Sequence, residues 1–157
     1  MKSLKEQISS YSAYHRDPRN KIIHFIGIPL VTFSLFLFLG WFRWVHAPER
    51  AMTGATLFYV IVFVYYLKLD WGIALLQAPF TLLLLWLADR AALLPWNRSL
   101  AIFLLTFVVG WIIQLIGHRF EGKKPALTDN ILQIFNAPLF LTVEALSFLG
   151  IRKDLQS

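Results

Sequence analysis

Four stretches of the chain run for 17 to 21 positions without a charged residue: residues 22–42, 51–67, 71–88 and 99–117. Apolar runs of about 17 to 25 residues match the thickness of a hydrocarbon core. In lipid every backbone polar group must bond within its own segment or barrel. No ten-residue alternation of apolar and polar positions marks a barrel strand, so the pattern predicts four transmembrane helices. A fifth apolar stretch, 131–151, has the length to cross but contains Asn136, Pro138 and Glu144. A carboxylate in lipid is costly unless paired. This stretch therefore reads as a helix that lies at the interface or re-enters the bundle, with a fifth crossing as the alternative. Ahead of the first run, Ser3 and Glu6 make the S-x-x-E pattern of a capping box. Leu4, Ile8, Tyr11 and His15 then recur at helical spacing, which predicts a surface helix with Lys2 and Lys5 on its polar side. No internal repeat or long linker divides residues 1–157. The expected architecture is one all-α, membrane-embedded domain: an N-terminal surface helix, a bundle of four transmembrane helices and a C-terminal interfacial, re-entrant or fifth membrane helix.

Composition narrows the class further. Apolar residues make up 57% of the chain and charged residues only 15%, against about 25% charged in soluble domains, which excludes a soluble globule. The absence of cysteine excludes a disulfide framework and any Cys-ligated metal. The 15 basic residues outnumber 9 acidic ones, and in a membrane protein that excess speaks first of topology rather than of nucleic acid. With the N-terminus inside, Lys2, Lys5, Arg16, Arg19, Lys21, Lys68, Arg119, Lys123 and Lys124 fall on the inner side, and Arg43, Arg50, Arg90 and Arg98 on the outer. The excess places the N-terminus in the cytoplasm. The charged segment before the first run is too long for a cleavable signal peptide and has no small-residue cleavage site. The tails carry no retention signal, and the expected location is a bacterial inner membrane, or the endoplasmic reticulum in a eukaryote. No run holds a charge near its midplane and no inverted repeat is visible, which speaks against a transporter.

Against this topology the four histidines separate. His15 lies just before the first run, His24 in its first turn and His118 at the end of the fourth, all at the same depth on the inner side. His46 falls in the opposite loop and is excluded. Polar residues thicken around the three. Asn20 and His24 are four apart. Gln114, His118 and Glu121 share a helical face, and the i, i+3 relation of His118 and Glu121 lets an imidazole and a carboxylate converge on one ion. Three imidazoles, with or without a carboxylate, suit Fe(II), Zn(II) or Cu(II), and iron where oxygen chemistry is needed. His15, His24, His118 and Glu121 are thus candidate metal ligands and catalytic residues, with Asn20, Asp17 or Gln114 as partners that orient the rings. The competing reading is a polar network that closes the mouth of the bundle.

These residues also carry a resemblance. Residues 11–29, YSAYHRDPRNKIIHFIGIP, resemble the first signature of the membrane-bound 2-hydroxy fatty acid dioxygenase family, Y-x-x-x-H-x-x-x-x-N-x-x-x-H-x-x-G-x-P, through Tyr11, His15, Asn20, His24, Gly27 and Pro29. WIIQLIGHRFEGKKPAL is similar to the second, through Trp111, Gln114, Gly117, His118, Glu121, Pro125, Ala126 and Leu127. Residues 130–146 resemble the family's closing segment, so the likeness covers nearly the whole chain. It implies an Fe(II)-dependent dioxygenase that uses O2 and no 2-oxoglutarate to shorten a 2-hydroxy fatty acid by one carbon with loss of carbon dioxide. Tyr11, Asn20 and Gln114 would then support the ligand set, membrane lipid would surround the bundle, and nucleic acid would not be a partner. Arg16, Arg19, Lys21, Arg119, Lys123 and Lys124 are available to attract a fatty-acid headgroup, although topology accounts for most of them. Two rival readings use the same residues: a zinc-dependent membrane lipid hydrolase with Glu121 as general base, and a non-enzymatic lipid-binding or scaffold protein.

Overall fold

The structure is a computed structural model that describes residues 3–13, 15–44, 52–122 and 133–151. Within them lie six helices: α1 (Leu4–Ser12), α2 (Pro18–Gly40), α3 (Gly54–Leu69), α4 (Trp71–Ala92), α5 (Trp96–Glu121) and α6 (Gln133–Phe148). Among the described residues the sole extended pairing is one bridge between Arg43 and Thr53. The expected all-α architecture is what forms. His46 lies outside the described residues.

Local chemistry sets the ends of each helix. At α1 the capping box closes, with the Glu6 amide donating to Ser3 Oγ and the Ser3 amide to Glu6 Oε2 at 2.7 Å. Leu4, Ile8 and Tyr11 then form its buried face. Helix α2 begins four residues ahead of the apolar run. Asp17 caps it by accepting from the Arg19 amide, and Pro18 sits at the first helical position, where its missing N–H costs nothing. His24 therefore stands in the second turn, not the first. Helix α3 starts later than its apolar run because Thr53 caps it, and Asp70 ends it after 16 residues. At about 1.5 Å per residue that is roughly 24 Å, short of a core about 30 Å thick. Three helices, α2, α4 and α5, are long and apolar enough to cross a membrane; α3 is apolar but shorter. Asp70 also starts α4, accepting from the Ile73 amide, so one residue joins the two helices.

The bundle is organised on α2 and α5, the most extensively packed pair. They run antiparallel and approach through glycine, the device that lets membrane helices close without a hydrophobic driving force. A Cβ at Gly27 would lie 3.1 Å from Gln114, and one at Gly110 would lie 3.0 Å from Val31 and 3.1 Å from Leu30. The outer face of α5 is a continuous apolar surface, including Leu104, Leu105, Val108, Ile112 and Leu115. At one end Trp41 Nε1 donates to Ser99 Oγ at 2.8 Å, and Arg43 pairs with Asp89 at 2.6 Å.

At the other end α6 packs on α1, α2 and α4. It buries Leu139, Phe140 and Val143 in a cluster with Leu4, Ile8, Tyr11, Ile28 and Tyr66. The Tyr66 hydroxyl donates to the Phe135 carbonyl. The carboxylate that made the 131–151 stretch ambiguous is buried and paired: Glu144 lies 2.7 Å from Lys21 Nζ. An interior carboxylate needs such a partner, and the pair fastens α6 to the first turn of α2.

Close approach at Gly110 makes a prediction. Overfilling a tight interface costs about 1 to 3 kcal/mol. Gly110→Val should lower the thermal unfolding midpoint in detergent by several degrees, while Leu105→Val, on the outer face, should leave it nearly unchanged.

Candidate metal centre

Three elements each deliver one histidine to a point between α1, α2 and α5. His15 comes from the short connection after α1, His24 from α2 and His118 from the last turns of α5. All three are buried, and their ligand atoms lie within 4.8 Å of one another. The ring centroids are 4.5 Å apart for His15 and His24 and 5.0 Å for each pair with His118. The planes meet at 80°, 64° and 90°. Such rings point their edges at a common centre and do not stack.

Backbone carbonyls settle which nitrogen of two rings faces that centre. His15 Nδ1 lies 2.8 Å from the Tyr11 carbonyl, and His24 Nδ1 lies 2.8 Å from the Asn20 carbonyl. A carbonyl only accepts, so each Nδ1 carries the hydrogen and each Nε2 is left as a lone pair. Those two Nε2 atoms are 3.1 Å apart. Facing lone pairs repel unless a proton or a metal ion lies between them. Burial, and after it the neighbouring His24 ring, hold the His15 imidazole at about 3, well below its ordinary 6.5, so His15 does not supply that proton at neutral pH. Two nitrogens about 2.1 Å from one ion, at tetrahedral to right angles, stand about 3.0 to 3.4 Å apart. The third ring adds an unmet need: His118 Nδ1 is buried with no hydrogen-bond partner. The donor set fits a metal ion.

The supporting residues divide their work. Tyr11 stacks on His15 at 4.3 Å with planes 1° apart, and Phe140 of α6 closes on the same two rings at 4.6 and 5.2 Å. Gly117 lets α5 reach α2; a Cβ there would strike Asn20 Oδ1 and come within 3.1 Å of the His24 ring. Glu121 closes α5, ahead of Gly122 in the left-handed conformation with φ 65°. Its Oε1 accepts from the Arg16 amide at 2.7 Å, and its Oε2 accepts from the Asp17 amide at 2.9 Å and Asn20 Nδ2 at 3.1 Å. The carboxylate thus meets the positive end of α2 and pins the connection that carries His15. Glu121 is not among the three residues whose ligand atoms converge. Gln114 packs against Gly27, about two helical turns from Glu121. The sequence does not single out Phe140 or the Tyr11 carbonyl: a backbone acceptor leaves no residue signature, and nothing in the 130–146 segment marks Phe140 apart from its apolar neighbours.

Beyond the histidines lies a narrow apolar cleft with a cavity volume of about 50 Å³. Its walls include Val31, Leu35 and Phe36 of α2, Phe58 and Phe63 of α3, and Pro138 of α6. Val31 and Leu35 are 7 and 11 residues beyond His24 and share its face of α2. The cleft therefore begins about 10 Å deeper along the helix.

Comparison with known proteins agrees with this picture. A family model described as "2-hydroxy-palmitic acid dioxygenase Mpo1-like" matches residues 1–149. The chain is 33% identical over 158 residues to "2-hydroxy-palmitic acid dioxygenase MPO1" of Saccharomyces cerevisiae, an alignment that covers 98% of this chain and 86% of the yeast protein. No solved structure matches the chain.

If the three imidazoles are the ligands, His24→Ala and His118→Ala should each reduce bound metal from about one ion per chain to below one tenth. His46→Ala should retain it. Elemental analysis of the purified variants reads this directly, and loss of metal from the His46 variant alone would contradict the site.

Proposed function

The chain belongs to the 2-hydroxy-palmitic acid dioxygenase Mpo1-like family, and from that premise we propose that it is an Fe(II)-dependent dioxygenase of 2-hydroxy fatty acids. The observation that carries the reading is the convergence of His15, His24 and His118 on a buried point at the polar end of an apolar bundle. In the proposed reaction a 2-hydroxy acid and O2 give the fatty acid one carbon shorter, carbon dioxide and water. The bond between C1 and C2 breaks, C2 is oxidised to a carboxyl carbon, and O2 is the oxidant.

Ferrous iron at the three histidines would supply open positions and an electron source for oxygen chemistry. The protein's own residues supply everything else. The Tyr11 and Asn20 carbonyls hold His15 and His24 in the tautomer that presents Nε2. Phe140 and Tyr11 wall the site on one side and keep it apolar. The cleft takes the acyl tail, where each buried methylene contributes about 0.8 kcal/mol relative to water. Glu121 is a positioning residue, fixing the backbone of Arg16 and Asp17 so that His15 stays beside His24. A zinc hydrolase would instead need Glu121 as general base, which means releasing the three donors it now accepts from. We take α3 as a fourth crossing and the histidine end, with Lys5, Arg16, Arg19 and Lys21, as the cytoplasmic side.

The reading is tested with protein purified without oxygen and loaded with either Fe(II) or Zn(II). With Fe(II), 2-hydroxypalmitic acid should give the fifteen-carbon acid and carbon dioxide in equal amounts with uptake of O2, and with Zn(II) it should give neither. Activity with Zn(II) alone, or product without O2 uptake, would overturn it. A residue that orients a metal ligand typically contributes 10- to 100-fold in affinity or activity. Glu121→Gln, which keeps the size but cannot accept at both positions, should lower iron occupancy or turnover at least tenfold without reducing the yield of folded protein.

A further inference from the structure

A second cavity, of about 350 Å³, opens beside His15 and is lined by Ser9, Ser12, Ala13, His15, Arg16 and Lys21. It differs from the apolar cleft in every chemical respect: two hydroxyls, two cations and an imidazole replace the aromatic walls. Resting on the dioxygenase reading, we infer that this cavity seats the carboxylate of the substrate, and that Arg16 is the residue that selects an acid over a neutral lipid.

Three observations converge. The first is order along α2. The polar cavity takes Arg16 and Lys21, then comes His24, and then the apolar cleft from Val31 to Phe36. From Lys21 to Phe36 is about 22 Å at 1.5 Å per residue, and polarity falls from one end to the other as it does along a long-chain acid. The second is an unmet group. Ser12 Oγ is buried and has no hydrogen-bond partner, a state that buried hydroxyls avoid and that a carboxylate oxygen would relieve. The third is charge. Lys21 is matched by Glu144 at 2.7 Å. Arg19 is matched by Asp17 at 2.9 Å and lies over the Phe120 ring at 4.6 Å. Arg16 takes part in no ion pair among the described residues, while its own amide is held by Glu121. Its planar guanidinium offers the paired donors that a carboxylate accepts best. Positive-inside topology explains why cations gather at this end but not why two of them line a cavity shared with a histidine, one of them outside any ion pair among the described residues.

The experiment measures binding by the full chain, loaded with iron and kept free of oxygen so that nothing turns over. Two probes of equal length are compared: 2-hydroxypalmitic acid and hexadecane-1,2-diol, which keeps the hydroxyl and lacks the carboxylate. Arg16→Gln should raise Kd for the acid at least tenfold and leave Kd for the diol within twofold, with Arg16→Lys in between. Lys5→Gln, at the same end but outside the cavity, should change neither. Equal weakening by Lys5→Gln would assign the effect to general surface charge, and an unchanged Kd for the acid in Arg16→Gln would remove Arg16 from recognition; either overturns the inference. Should Arg16→Gln not fold, shown by loss of diol binding, Arg16→Lys and Ser12→Ala decide on the same criteria. Acid binding by the wild-type chain that never leads to O2 uptake would sink the dioxygenase reading alone, since the carboxylate comparison is read without turnover.

Discussion

At Gly117 the backbones of α2 and α5 come so close that a single methyl group would strike Asn20 and crowd His24. The rest of the site depends on that approach. It brings His118 alongside His24, although the two are 94 positions apart in sequence. It also lets a carboxylate on the last residue of α5 reach across to the Arg16 and Asp17 amides just ahead of α2. Further along the same seam, Gly27 and Gly110 keep the two axes together, so the separation at the histidines is set by the whole contact and not by one residue. In lipid, where apolar side chains gain little by leaving their surroundings, close van der Waals contact is what remains to hold helices together.

A second layer of order is electrostatic and sits at the rim. Asp17, Glu121 and Glu144 each lie near the start of α2, and each has a defined partner: Arg19 for Asp17, backbone amides for Glu121 and Lys21 for Glu144. The Asp17 carboxyl is held below the ordinary carboxylate range, first by its hydrogen bond with the Arg19 side chain. These acids are not among the converging ligand atoms; Asp17 caps the helix that carries His24, while Glu121 and Glu144 tie α5 and α6 to its start. Among the described residues Arg16 enters no ion pair, and it lines a cavity with polar walls.

Much of this was legible in the chain. The uncharged runs mark helices α2 to α5, and the shared depth of three histidines marks the triad. The resemblance in the segments around His15 and His118 agrees with the family to which the chain belongs. What hydropathy could not see was where helices stop. The Asp17–Pro18 start is polar, and it moved His24 one turn inward; the Thr53 cap starts α3 three residues into its apolar run, and Asp70 ends it two residues past the run. The spacing of Glu121 to His118 allows a ligand, but spacing says nothing of competing donors, and three of them are engaged. The meaning of Glu144 was beyond reach because its partner, Lys21, is 123 positions away. Contacts of that kind are properties of the packed bundle.

The single-residue joint at Asp70 has a consequence for how the sequence can vary. That residue ends α3 in an extended conformation, with φ −161°, and its side chain starts α4. There is no slack on either side. Adding or deleting one residue within the first turns of α4 would rotate everything after it by about 100° relative to α3. A deletion would swing Gln77 and Thr81, both buried, to the exposed positions of Leu76 and Phe80, and an insertion would carry Leu76 and Phe80 inward to theirs. Insertions and deletions should therefore be purged from this hairpin during evolution, and length variation among relatives should collect in the other connections.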